Sequence, residues 1–185
     1  MKKKVIYSII IVSVIIILSV AVTYAVYTFS GVVNISGTSE CFDVNYVKGQ
    51  DIVSDSNPAN FVLASTYTEG LSSVIKVNLK DTCTITNGTG TLYLNTDTSV
   101  TSSTILSGKV LKYQVLDGTT PVGSGIVSSA ESIEIYKDIP ITTTVKTITV
   151  YIWLDGNLVT EQNQNEILSS VYKGHISMDI KSGDK

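Results

Sequence analysis

The side chains that do most protein chemistry are scarce in this chain: one histidine, two cysteines and no arginine among 185 residues. A zinc site draws three or four ligands from His, Cys and carboxylates. His175 alone anchors no such site if Cys41 and Cys83 are paired with each other. A Ser-His-Asp constellation needs its histidine to meet a positioned nucleophile, and no Gly-x-Ser-x-Gly elbow is present to supply one. His175 sits beside Gly174 at an outward position of an alternating run, and reads as an ordinary exposed strand residue. Asn95, Asp97, Asp155 and Asn157 carry oxygens that suit calcium, but EF-hand spacing is absent. Asp and Asn are also the common residues of turns, and the turn reading is favoured. Gly118, Gly123 and Gly125 surround an expected hairpin and do not stand between a strand and a helix, so they read as turn glycines and not as a phosphate cradle. No catalytic residue, no metal and no cofactor is expected, and the chain is not read as an enzyme.

What remains is the chemistry of contact. Tyr151 and Trp153 alternate with Ile148, Val150, Ile152 and Leu154, so the two rings share one face of a strand. Exposed, they would form an aromatic surface for glycan rings. Cross-strand packing is the favoured alternative, because aromatics also stabilise sheets. A second contact element is Val26–Ile35, where Tyr27, Phe29, Val33 and Ile35 alternate with Thr28, Ser30 and Asn34. Such a candidate donor strand can complete a neighbour's sheet: backbone hydrogen bonds supply affinity and alternate side chains fill pockets. Within one chain the simpler expectation is that it pairs inside its own domain. The two are compatible as successive states.

The elements that must position these residues are strands. Phe42, Val44 and Tyr46 alternate with polar residues, as do Ile75, Val77 and Leu79, and Ile176, Met178 and Ile180. Each such run places one face in a core and the other in water. Less regular strand candidates are Phe61–Thr66, Thr91–Thr96, Val110–Leu116, Gly125–Ser128 and Ser132–Asp138. Turn signals fall at Asn87-Gly88, Asp117-Gly118 and Asp155-Gly156, with Asp117–Gly123 as a hairpin tip. Helical periodicity is confined to Glu161–Val171, enough for a turn or two. About ten short strands predict an all-β, antiparallel two-sheet sandwich, jelly-roll or Ig-like.

The first residues give the context. Lys2, Lys3 and Lys4 precede an apolar run from Val5 to Val22, then Thr23-Tyr24-Ala25. A positive cluster, an apolar stretch and a small residue match a secretory signal peptide, cleaved between Ala25 and Val26. The run is long for a signal, and uncleaved it could span a bilayer as an anchor. Both outcomes put residues 26–185 outside the cytoplasm as a single domain, membrane-anchored or secreted, with the membrane and a signal peptidase as partners. There an even pair of cysteines reads as one disulfide, Cys41 to Cys83; the alternative is two buried free thiols. Without the three leading lysines, ten lysines face 16 acids, a net charge of −6. A surface that is acidic and free of arginine argues against nucleic acid, which is gripped through its phosphates.

The stretch Val22-Thr23-Tyr24-Ala25-Val26-Tyr27-Thr28-Phe29 resembles the signal-peptide junction of the TasA/camelysin family of exported surface and biofilm-matrix proteins, processed by a SipW-type signal peptidase. Thr23, Tyr24 and Ala25 fit the family pattern, with Tyr27 following. Glu40-Cys41-Phe42-Asp43-Val44, Asp81-Thr82-Cys83 and Val150–Asn157 look like blocks of uncharacterised exported proteins of related bacteria. The resemblance implies a jelly-roll-like domain and assembly into surface fibres. Camelysin-type members are described as metallopeptidases; with no His-Glu-x-x-His and a single His, this chain lends that activity no support. Two readings follow. One is a structural cell-surface or matrix protein, self-associating through donor-strand addition. The other is a membrane-anchored extracellular module that binds glycan or host protein.

Overall fold

Alternation in the sequence becomes strand after strand in the computed structural model, which describes residues 26–35, 41–48, 59–60, 63–99, 101–168 and 170–183. The expected export segment 1–25, with Ala25 of the expected cleavage site, lies outside the described residues. Eleven strands occupy the described residues: β1 (Val26–Ile35), β2 (Phe42–Lys48), β3 (Ala59–Asn60), β4 (Leu63–Ala64), β5 (Leu71–Leu79), β6 (Gly88–Thr96), β7 (Leu111–Asp117), β8 (Thr120–Ile126), β9 (Ser132–Ile141), β10 (Lys146–Asp155) and β11 (Tyr172–Ser182). Two short helices, α1 (Ser103–Ser107) and α2 (Gln164–Leu168), lie in connections.

The strands form two sheets. One runs β3-β1-β11-β6-β9; the other runs β2-β5-β10-β7-β8, with β4 pairing the end of β10. The fold is the expected all-β two-sheet sandwich. Two pairings depart from a purely antiparallel arrangement. β1 runs parallel to β11, and β4 runs parallel to β10. Parallel neighbours cannot be joined by a tight turn, and here nearly the whole domain separates the first strand from the last.

Period-two chemistry decides the faces. In β5, Leu71, Ile75, Val77 and Leu79 are buried, while Lys76 between them is exposed. In β11, Ile176, Met178 and Ile180 are fully buried. Their counterparts on the other sheet, including Val115 of β7 and Ile148, Val150 and Ile152 of β10, complete one core. Burying a side chain of this size stabilises the fold by about 1.5–3 kcal/mol. β9 keeps its apolar side inward across an irregularity. Ile139 pairs Gly90 and Ile133 pairs Leu94, so six steps along β9 span four along β6. Two extra residues restore the parity, and Asp138 adopts φ 53° within them.

The hairpin expected at Asp117–Gly123 is tighter than the sequence suggests. Asp117 pairs Thr120, leaving Gly118 and Thr119 as the tip, and Gly118 has φ 60°. That is the position where a two-residue type II′ loop places glycine. The expected strand Gly125–Ser128 is replaced by β8, which starts at Thr120 and carries Pro121; an edge strand accepts proline because its outward N–H has no ladder partner. Asn87-Gly88 is not a turn tip, since Gly88 opens β6 and pairs both Ser182 and Ile141. Asp155-Gly156 opens a 3-10 turn, Gly156–Leu158, capped by the Asp155 carboxylate, which accepts from Asn157 N at 3.0 Å. Of the expected strand Phe61–Thr66, residues 61 and 62 lie outside the described residues, and Leu63–Ala64 form the two-residue β4. The helical run at Glu161–Val171 yields α2, and α1 had no sequence signal.

Candidate functional site

Three places bring together residues that could make contacts with something else. The first is the β1–β11 ladder. Nine residue pairs run in register from Tyr27 with Tyr172 to Ile35 with Ile180. The candidate donor residues Tyr27, Phe29, Val33 and Ile35 stand opposite Tyr172, Gly174, Met178 and Ile180, all buried positions of β11. On its other side, among the described residues, β1 pairs with β3 at Val26 with Asn60 and Tyr27 with Ala59. Tyr172 fixes one end of this ladder. Its ring is fully buried and its hydroxyl lies 3.2 Å from Thr96 Oγ1. Burial pushes the Tyr172 phenol up to about 12, with the Thr96 hydrogen bond opposing that shift.

The second place is the aromatic face of β10. Trp153 is only 8% exposed, and Tyr151 is half-buried. A short 3-10 turn, Tyr67–Glu69, covers them. The Tyr67 ring stands edge-on to Tyr151 at 5.1 Å between centroids, and 6.4 Å from Trp153. Edge-to-face pairs at these distances are favourable by about 0.5–1.5 kcal/mol beyond burial. Tyr67 and the chain at Gly70 close over Trp153, so the two rings do not form an open platform, and Tyr151 is the more exposed of the pair. Nothing in the sequence around Tyr67 announced this, because the contact joins residues more than 80 positions apart.

The third place holds His175. An open cleft of about 660 Å³ lies where β6, β11 and β9 end, lined by Asn95, Asp97, Glu131, Lys173 and His175 among others. Asp97 accepts hydrogen bonds from the Ser99 hydroxyl at 2.5 Å and the Ser99 amide at 3.2 Å, and its carboxylate lies 3.4 Å from Lys173 Nζ. The Ser99 hydroxyl, and then Lys173, hold the Asp97 carboxyl below the usual carboxylate range. Asn95 Nδ2 is directed to Ser177 Oγ at 2.8 Å. Thr101 ties the loop down, donating to Lys173 O at 3.2 Å and accepting from Lys173 N at 3.1 Å. Every buried polar side-chain atom among the described residues has a partner.

The four candidate calcium residues are divided between the sheets. Asn95 and Asp97 line the cleft, whereas Asp155 and Asn157 cap the turn after β10. Asp155, 6% exposed, is held by Lys112 from the neighbouring strand β7 and by both nitrogens of Asn157. The Lys112 hydrogen bond is the main cause that holds its carboxyl below the usual range. Among the described residues no three His, Cys, Asp or Glu side chains converge as metal ligands would. A further ion pair joins β7 to β10. Asp117 accepts from Lys146 Nζ at 2.6 Å and from the Tyr136 hydroxyl at 2.9 Å, joining β7 and β10 to β9 of the opposite sheet. These pairs need strand register to be seen, so composition alone gave no sign of them.

The cysteines meet as expected. Cys41 and Cys83 form a disulfide with their Cα atoms 5.6 Å apart, tying the start of β2 to the loop between β5 and β6. No protein-family model matches the chain, and no curated protein matches it. Among the described residues no helix is long and apolar enough to cross a membrane.

Proposed function

We propose that this chain is an exported bacterial cell-surface or matrix structural protein of the TasA/camelysin-like kind, acting mechanically and self-associating by strand donation. One observation carries the reading: β1 follows the expected export segment directly and lies along β11 through nine pairs, while among the described residues β3 pairs only Val26 and Tyr27 on the other side. A strand so placed is held chiefly by one ladder, and an identical strand from a second copy offers β11 the same hydrogen bonds and side chains. Cleavage between Ala25 and Val26 would free that strand. The test is the N-terminal sequence and intact mass of protein taken from cells and from culture fluid. A start at Val26 in released, dilution-resistant oligomers supports the reading. A start at Met1 or Lys2, confined to membranes, removes it.

The second reading is a membrane-anchored module that binds glycan or host protein. The cleft beside His175 favours it, because carboxylate, amide and ammonium groups stand around one open space. Its partly exposed ring is Tyr151, since Trp153 is covered. Binding of soluble polysaccharide by the membrane-bound form, lost on Lys173→Ala with Asn95→Ala, would support this reading. Unchanged binding would remove it.

A further inference from the structure

We infer that β1 opens as a unit of its own, and that the Cys41–Cys83 disulfide is the stop at which that opening ends. Proteins open in contiguous pieces whose limits follow where contacts and cross-links are dense. Among the described residues β1 pairs only within the five-stranded sheet, with β11 and the two residues of β3. The next described element, β2, belongs to the opposite sheet, where it pairs with β5 through seven residues. Opening of β1 therefore breaks the nine β11 pairs and the two β3 pairs and then reaches a change of sheet.

That change of sheet is where the chain is fastened. Cys41 is bonded to Cys83. The Cys41 carbonyl accepts from Lys80 N at 2.9 Å. Phe42 is buried, and its ring lies where a Cβ on Gly88 would be, 2.6 Å from that position, so it plugs the start of β2 against β6 of the other sheet. The disulfide is the one covalent member of this fastening. Among the described residues β2 is an edge strand, with β5 as its sole neighbour in the sheet order. Without the cross-link nothing covalent keeps opening from running past Cys41 into β2, where seven pairs would be peeled in turn. With it, β2 stays seated while β1 leaves. The inference concerns the single chain and does not rest on assembly, so it can fail or hold apart from the proposed function.

Hydrogen exchange on the protein as purified from cells, oxidised and reduced, tests it. In the oxidised protein the amides of β1 exchange at least about tenfold faster than those of β2, β5 and β10. On reduction β2 joins β1, accelerating by a similar factor, while β10 and β7 keep their protection. Equal exchange of β1 and β10 in the oxidised protein would overturn the inference, as would a β2 whose rate ignores reduction. If the reduced protein unfolds globally, seen as lost protection in β10, Gly31→Pro with the disulfide intact decides. Proline cannot donate to a strand ladder and is poorly tolerated inside a paired strand. The expected result is lost protection in β1 with β2 unchanged; loss in both strands would overturn the inference.

Discussion

Replacing Tyr172 by phenylalanine should make the protein slightly less stable at neutral pH and more stable at high pH, with the two stability curves crossing. The Tyr172 hydroxyl is fully buried against Thr96. Removing one such hydrogen bond costs about 1 kcal/mol. The folded phenol titrates at about 12 against an ordinary value of 10.0. The folded state thus favours the neutral form. The resulting stabilisation is fully present below pH 10 and is lost as pH rises through the folded value. At 1.36 kcal/mol per unit, the wild type forfeits about 1.4 kcal/mol by pH 11 and about 2.3 kcal/mol by pH 12 from this group. The phenylalanine variant carries no such loss, so the curves cross near pH 11. Urea unfolding at pH 8, 10, 11 and 12 on both proteins measures it, with every other titrating group common to the pair. A difference between the two proteins that stays constant from pH 8 to 12 would refute the reasoning.

Three further outcomes are expected. Trp153→Ala should cost about 3–5 kcal/mol in urea unfolding, because the ring is buried under Tyr67 and its removal leaves a cavity; a loss below 1 kcal/mol would mean the face is open after all. Cys41→Ser with Cys83→Ser should cost about 4 kcal/mol on the chain-entropy account of a loop this long, read as a lowered urea midpoint. Lys112→Met should destabilise by about 1–3 kcal/mol, because it strips the buried Asp155 carboxylate of its charged partner. The lowered Asp155 value also fixes the direction with pH. Its stabilisation is present above the ordinary 3.8 and is lost as pH falls through the lowered folded value. The Lys112→Met protein should accordingly show a shallower acid-side decline in its unfolding midpoint.

Strand positions were legible where alternation was strict. The runs through Ile75, Ile148 and Ile176 need only one buried face, and period two says which residues occupy it. Places where geometry depends on a partner were not legible. β8 begins at Thr120 because β7 offers a ladder to pair with, while its own residues Pro121 and Gly123 argue for a loop. The parallel β1–β11 pair has no local signal, since parallel partners are chosen by the whole fold and not by a turn between them. The disulfide was legible from redox context and parity. The covering of Trp153 by Tyr67 was not, because the two meet only after β4 and β5 have taken their places beside β10.

The parallel pairing of the first and last strands also fixes how the domain bears load. Because β1 and β11 point the same way, Val26 lies at one pole of the ladder and Ser182 at the other, about 30 Å apart for strands of this length. A pull on Val26 against Ser182 runs along the strand axes in opposite senses. It strains all nine rungs together, in shear, and does not unzip them one at a time. The ladder is thus set at its strongest angle against tension drawn along β1 and β11 in opposite senses.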